Sequence, residues 1–368
     1  SYILTLSGVK DITPKASVPS VEKKIEKPDA KNLVDADTWT EGDTHTFHIT
    51  GTLPSNYADY TSYYYYQFTD TFQKDADGNA VFSYDADSVK VTLVNGDTST
   101  DITSYFTSAA TTTDDKITGL TVTTNSEKGL KDIEGITASS KIVLTYNAKL
   151  LSNAVVGDNN GLGNVNTVNL TYSNNPNTGG KGDTGKTPDD SVTVFTFQLD
   201  MTKVDKANTD TTLADAKFVL SRGTGDAIEY AVITDGHVTG WTTKDQATTI
   251  TTDANGKANV IGLADGTYAL TETAAPTGYT VLADPISFTI NSTVTDAFPS
   301  AVTALSISSG NKTTDGTIST GTVALTVVNT SSSSLPSTGG MGSTIIILCS
   351  AMVVAVAGTI LYRRRQAK

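Results

Sequence analysis

Three polar side chains in the C-terminal half stand where strand geometry turns them inward. Alternate residues of a strand share a face, so a polar group in register with an apolar run points into the core. Phe195, Phe197, Leu199 and Met201 form such a run, and the next member of their face is Lys203. Val323, Leu325 and Val327 lead in the same way to Asn329, and Tyr268 and Leu270 lead to Glu272. Burial disfavours both the ammonium and the carboxylate, which drives lysine and acid toward their neutral forms. An uncharged lysine is a nucleophile. Beside a carboxamide whose oxygen is polarised by a protonated acid, it can displace ammonia and form a Lys–Asn isopeptide bond. Such a tie closes a loop of more than ~100 residues, for which disulfide arithmetic gives about 4 to 5 kcal/mol from chain entropy. Lys206 and Asn291 are the alternates to Lys203 and Asn329.

The N-terminal half repeats the pattern with aspartate as the acid. Val21, Lys23 and Ile25 alternate on one face, Tyr64, Tyr66, Phe68 and Asp70 on a second, and Val168, Leu170, Tyr172 and Asn174 on a third. The same chemistry is expected of Lys23, Asp70 and Asn174. Lys24 and Asn175, one residue out of register, are the fallback.

A different chemistry is written near the C-terminus. Leu335-Pro336-Ser337-Thr338-Gly339 follows a serine spacer and precedes an apolar stretch from Thr344 to Tyr362, closed by Arg363, Arg364 and Arg365. The stretch is long enough to cross a hydrocarbon core as a helix, and the arginines make it a stop-transfer anchor. The three elements together resemble the wall-sorting signal of Gram-positive surface proteins. That resemblance implies that a sortase thiolate attacks the Thr338 carbonyl and releases the chain from Gly339 onward. The acyl-enzyme is then resolved by an amine of a peptidoglycan precursor or by a lysine of another subunit.

The elements that must hold these groups are strands. The chain of 368 residues is rich in Thr, Ser, Asp, Asn, Gly and Tyr, which favours short strands joined by polar turns over long helices. Its length suits two domains plus tails. Turn signals such as Asp77-Gly78-Asn79, Asn95-Gly96 and Asp253-Ala254-Asn255-Gly256 punctuate apolar-alternating runs. The expected organisation is an all-β chain of tandem immunoglobulin-like β-sandwiches and a C-terminal transmembrane sorting helix. Residues 1–18 are the end of a preceding domain with a linker, 19–176 one sandwich, and 177–190 a linker by composition. Residues 191–331 form a second sandwich with a polar insertion from Asn291 to Gly321, and 332–368 are the sorting signal.

Several function classes are disfavoured. A formal net charge of −13, with no basic stripe before the last residues, argues against nucleic acid as a partner. The single cysteine, Cys349, allows neither an internal disulfide nor a thiolate metal site, so an exported chain needs another crosslink. No cofactor and no metal is expected. His45, His48 and His237 are scattered, and His45 and His48 are off-register for a pair of ligands, so that exposed edge positions explain them better. Asp75, Asp77 and Asn79 suit a hairpin turn better than a calcium loop, whose later Glu is missing. Alternate tyrosines of the Tyr57 to Tyr66 cluster must face the core, and the others could contact a host surface ligand or a neighbouring subunit.

Residues 268–279, Tyr-Ala-Leu-Thr-Glu-Thr-Ala-Ala-Pro-Thr-Gly-Tyr, resemble the E-box of Gram-positive pilins, and Thr202-Lys203-Val204-Asp205 resembles the start of their Cna B-type (SpaA-like) domains. The segments Pro19 to Ile25, Phe68 to Phe72 and Leu170 to Pro176 resemble the Cna A-like isopeptide-forming domain of fimbrial backbone subunits. With the sorting signal, this resembles a sortase-assembled major backbone pilin of the SpaH/EbpB-like kind. The resemblance implies a cell-wall, surface-exposed, non-enzymatic subunit with crosslinks Lys203–Asn329 and Lys23–Asn174, promoted by Glu272 and Asp70. Its partners would be sortase, identical pilin subunits and peptidoglycan. It also implies an acceptor lysine in a Tyr-Pro-Lys-Asn-like motif. Ile12-Thr13-Pro14-Lys15-Ala16 stands there, with Thr for Tyr and Ala for Asn, which makes Lys15 the candidate pilin lysine and Lys10 a further one. The alternative is a non-polymerised wall-anchored adhesin whose ligand-binding domain precedes residue 1.

Overall fold

The computed structural model describes residues 17–27, 32–158, 161–178 and 181–332. Lys15, the sorting pentapeptide Leu335 to Gly339 and the expected helix over 344–362 lie outside them. Among the described residues the fold is all-β, with short 3-10 turns and no α-helix. Strands are numbered here in chain order.

Two sheets face each other in the first module. One has the order Leu33–Val34 (β2), Val21–Glu26 (β1), His45–Gly51 (β4), Lys141–Leu150 (β11), Lys90–Asn95 (β7) and Thr98–Asp101 (β8), with Phe82–Tyr84 (β6) also on β11. The other runs Ala36–Thr38 (β3), Asp190–Phe195 (β14), Asn164–Ser173 (β12), Tyr66–Phe72 (β5), Lys116–Thr124 (β10) and Phe106–Thr113 (β9), with Thr184–Lys186 (β13) on β12. The inward faces meet in an aromatic-rich core that includes Trp39, Phe47, Phe68, Phe72, Phe82 and Tyr146. Five tyrosines of the 57–66 cluster, Tyr57, Tyr60, Tyr64, Tyr65 and Tyr66, are buried. Tyr64 receives the edges of Tyr57 and Tyr60 at 5.1 and 4.7 Å, so these rings are core rather than a contact surface.

The second module is one continuous sheet wrapped around its own core. Its order is Lys312–Asp315 (β24), Val302–Ser309 (β23), Ile286–Val294 (β22), Gly266–Ala274 (β21), Lys217–Arg222 (β16), Glu229–Thr234 (β17), His237–Thr242 (β18), Lys257–Leu263 (β20), Phe197–Asp205 (β15) and Thr322–Asn329 (β25), with Ile250–Thr251 (β19) on β16. The first and last of these strands in the chain, β15 and β25, are parallel neighbours, with Lys203 opposite Val327 and Asp205 opposite Asn329.

Three expectations change. Residues 177–190, read as a linker, contain β13 and the first residue of β14, both paired to β12. A strand with exposed Thr184 and Lys186 is as polar as a linker, and composition cannot tell them apart. The stretch Asn291 to Gly321 is no loose insertion, because β22, β23 and β24 form a meander across most of it. The histidines are half-buried, not exposed: His45 stacks on Trp39 at 4.2 Å, and His48 pairs with Glu26 at 2.6 Å. The Asp75–Asn79 segment is the expected tight turn, closed by bonds from the Asp77 and Asn79 amides to Asp75 Oδ1. The Asn153 side-chain amide, 2.8 Å from Asp75 Oδ2, together with the Asn79 side chain and these backbone bonds, holds the Asp75 carboxyl down at about 2.

Where the modules meet, side chains of the first enter the second. His237 Nδ1 lies 2.8 Å from Glu41 Oε2, and the Arg222 guanidinium forks onto Asp43 while stacking on Trp241 at 4.0 Å. The Glu41 carboxylate is buried, its Oε1 has no partner, and burial raises its pKa. Gly157 and Gly321 pass backbone to backbone, so close that a Cβ on Gly157 would lie 2.2 Å from the Gly321 nitrogen.

Candidate crosslinking sites

The second module brings Lys203, Glu272 and Asn329 together. All three are buried, at 0 %, 5 % and 0 % exposure. Each ends the inward face of its strand, with Lys203 on β15, Glu272 on β21 and Asn329 on β25. Lys203 Nζ donates to Asn329 Oδ1 and lies 3.2 Å from Glu272 Oε1. Asn329 Nδ2 donates to both Glu272 oxygens, at 3.0 and 3.1 Å. The acid therefore touches the amine and the carboxamide nitrogen at once. The turn after the glutamate closes over it, with the Leu282 amide 2.8 Å from Oε2. Desolvation lowers the Lys203 pKa against the opposing charge of Glu272, favouring the amine. Of the alternates, Lys206 and Asn291 are both exposed.

The first module brings Lys23 and Asp70 together but not Asn174. Lys23, on β1, is fully buried, and its Nζ donates to Asp70 Oδ2 on β5 in the facing sheet. Its ammonium position lies 4.4 Å above the Phe47 ring. Desolvation pushes the Lys23 pKa down and the Asp70 pKa up, so the pair is drawn to neutral amine and neutral acid.

Asn174 is a correction. It lies beyond the end of β12 and is exposed, and its backbone amide bonds Asp183. Asn175 bonds Asp183 through its side chain, and Lys24 pairs with Asp35 at 2.7 Å. The carboxamide in the site is Asn166. Val168 of β12 is the register partner of Asp70, and Asn166 is the next residue on that inward face toward the start of the strand. It is fully buried, and its Nδ2 donates at 2.9 Å to the Tyr146 hydroxyl, which in turn donates to Asp70 Oδ2 and lies 3.2 Å from Lys23 Nζ. Asn166 Oδ1 and Asp70 Oδ1 are both buried without a partner.

Both clusters thus hold the groups of an amide exchange. Each has a desolvated amine, a carboxamide and an acid, closed off from water.

Residues 197–299 match the SpaA family, described as a prealbumin-like fold domain. No curated protein matches the chain in sequence. Among solved structures, the chain is similar to the pilus 2b backbone protein of group B streptococcus, at 24% identity, covering 86% of this chain and 99% of that one, with a TM-score of 0.54. It is similar to the 35 kDa C-terminal fragment of the major pilin GBS80 of Streptococcus agalactiae at 22% identity, covering 74% and 91%, with a TM-score of 0.56. It is also similar to the full-length major pilin RrgB of Streptococcus pneumoniae at 14% identity, covering 88% and 75%, with a TM-score of 0.54. The chain shares their fold.

Proposed function

We propose that this chain is a structural backbone subunit of a covalently polymerised pilus on the surface of a Gram-positive bacterium. Each module is locked by a self-made Lys–Asn bond, Lys203–Asn329 in the second and Lys23–Asn166 in the first. Sortase joins Thr338 to a lysine of the next subunit or to peptidoglycan, and the fibre supports adhesion and colonisation. The observation that carries this reading is the buried contact of Lys203, Glu272 and Asn329. An acid sits against both nitrogens that must exchange, a costly arrangement for a chain that gains nothing from it. The shared fold with pilus backbone proteins and the sorting pentapeptide give further support.

The test is a denaturing gel of cell-wall extracts. A shaft subunit gives a ladder of high-mass species, which Thr338→Ala abolishes, and Lys15→Ala abolishes it too if Lys15 is the acceptor. A single anchored band from the unaltered chain overturns the reading in favour of a non-polymerised adhesin.

A further inference from the structure

The two candidate sites solve one chemical problem with different reach. In the second, both Glu272 oxygens contact the Asn329 nitrogen, and one also faces Lys203. In the first, the acid is one methylene shorter. Asp70 Oδ2 is engaged with Lys23 Nζ and, at 3.1 Å, with the Tyr146 hydroxyl. The contact to the Asn166 nitrogen is made by Tyr146 itself, at 2.9 Å, and the same hydroxyl lies 3.2 Å from Lys23 Nζ. Tyr146 comes from β11, in the sheet opposite Asp70 and Asn166, and is fully buried.

We propose that Tyr146 is a catalytic residue of the first module's crosslinking reaction, relaying a proton from the attacking lysine to the departing amide nitrogen. The inference rests on the bond-forming reading given above. Uncharged Lys23 Nζ attacks Asn166 Cγ, an N–C bond forms, and the carbonyl electron pair moves to Oδ1, which takes the Asp70 proton. Tyr146 accepts a proton from Nζ and gives its own to Nδ2. The Cγ–Nδ2 bond breaks, ammonia leaves, and the Oδ1 proton returns to Asp70 as the carbonyl reforms. Asp70 and Tyr146 end protonated as they began, and the products are one secondary amide and one ammonia. A tyrosine suits the task because its hydroxyl is donor and acceptor and can rotate between partners. Burial raises its pKa well above the usual tyrosine value, so it acts as a neutral relay.

The experiment follows intact mass with time during cell-free synthesis of the full chain, with tandem spectrometry assigning each bond. Tyr146→Phe keeps the ring that packs against Phe47 and Tyr84 at 5.5 and 6.1 Å. It is expected to slow formation of Lys23–Asn166 by about 10²-fold, within the range of general acid–base groups, while Lys203–Asn329 forms at its normal rate. Replacing Tyr146 by difluorotyrosine keeps the shape and changes hydroxyl acidity, so the relay requires a changed rate at the first bond alone. Wild-type rates in both variants overturn the Tyr146 assignment, as does an unchanged rate with difluorotyrosine should the Phe variant not fold. Failure of the unaltered chain to lose any ammonia overturns the underlying reading instead.

Discussion

Asp70 and Asn166 sit on adjacent antiparallel strands, one inward position out of line: the acid stands opposite Val168, and the Tyr146 hydroxyl links it to the amide. This offset decides which asparagine of β12 is available to Lys23. Mass spectrometry of the secreted protein should recover a Lys23–Asn166 crosslinked peptide. Asn166→Ala should add back the nitrogen and hydrogens of one ammonia, after allowance for the substitution itself, and Asn174→Ala should not. Recovery of Asn166 as a free side chain beside a crosslinked Asn174 would reverse the assignment.

In the second module Glu272→Ala should leave Lys203 and Asn329 unlinked. Loss of a tie across 126 residues removes about 4 to 5 kcal/mol of unfolded-state restriction, a fall in that module's Tm of roughly 10–20 °C. Calorimetry alongside intact mass checks both effects. A Tm unchanged by a confirmed loss of the bond contradicts the estimate.

The contact between modules should carry a pH dependence of unusual sign. Glu41 has a raised folded-state pKa, so between its unfolded and folded values the native state binds more protons than the unfolded chain. Its contribution to stability is therefore present at low pH and lost as pH rises through the folded value, opposite to a paired surface carboxylate. Glu41→Gln should flatten this part of the Tm profile, the fall that begins above the ordinary glutamate pKa of about 4.3. Identical profiles for the two proteins would rule Glu41 out as its source.

Gly157→Ala should loosen the same contact. The residue has φ +76°, and a Cβ there meets the Gly321 backbone, which cannot swing aside as a side-chain tip could. Left-handed backbone costs alanine about 1–2 kcal/mol before any clash. Faster limited proteolysis around residues 157 and 321, with both internal bonds intact, is the expected result.

The sequence made the second site legible and the first only partly so. Lys203 and Asn329 both follow apolar runs on parallel strands, so counting by twos carries each to the same end of the core. The same count reaches Lys23 and Asp70. It does not single out Asn166, because β12 has inward-facing amides before its apolar run and a further amide, Asn174, just after it. Only the antiparallel register with β5 chooses between them. Nor does alternation distinguish Tyr146 from the other inward residues of its strand, Ile142, Leu144 and Ala148. Its role depends on the sheet opposite, and strand periodicity says nothing about what lies across a core. The fold class was plain from alternation and turns, whereas β13 was hidden because an edge strand and a linker share a composition.

The parallel pairing of β15 and β25 has a mechanical consequence. The chain comes into the second module at Phe197 and leaves it after Asn329, at opposite ends of two strands lying side by side. Before Lys203 and Asn329 are joined, a stretching load along the chain would drag these strands past each other in shear. Every rung from Gln198–Thr322 to Asp205–Asn329 would then resist together, where an antiparallel hairpin gripped at its open end would unzip one rung at a time.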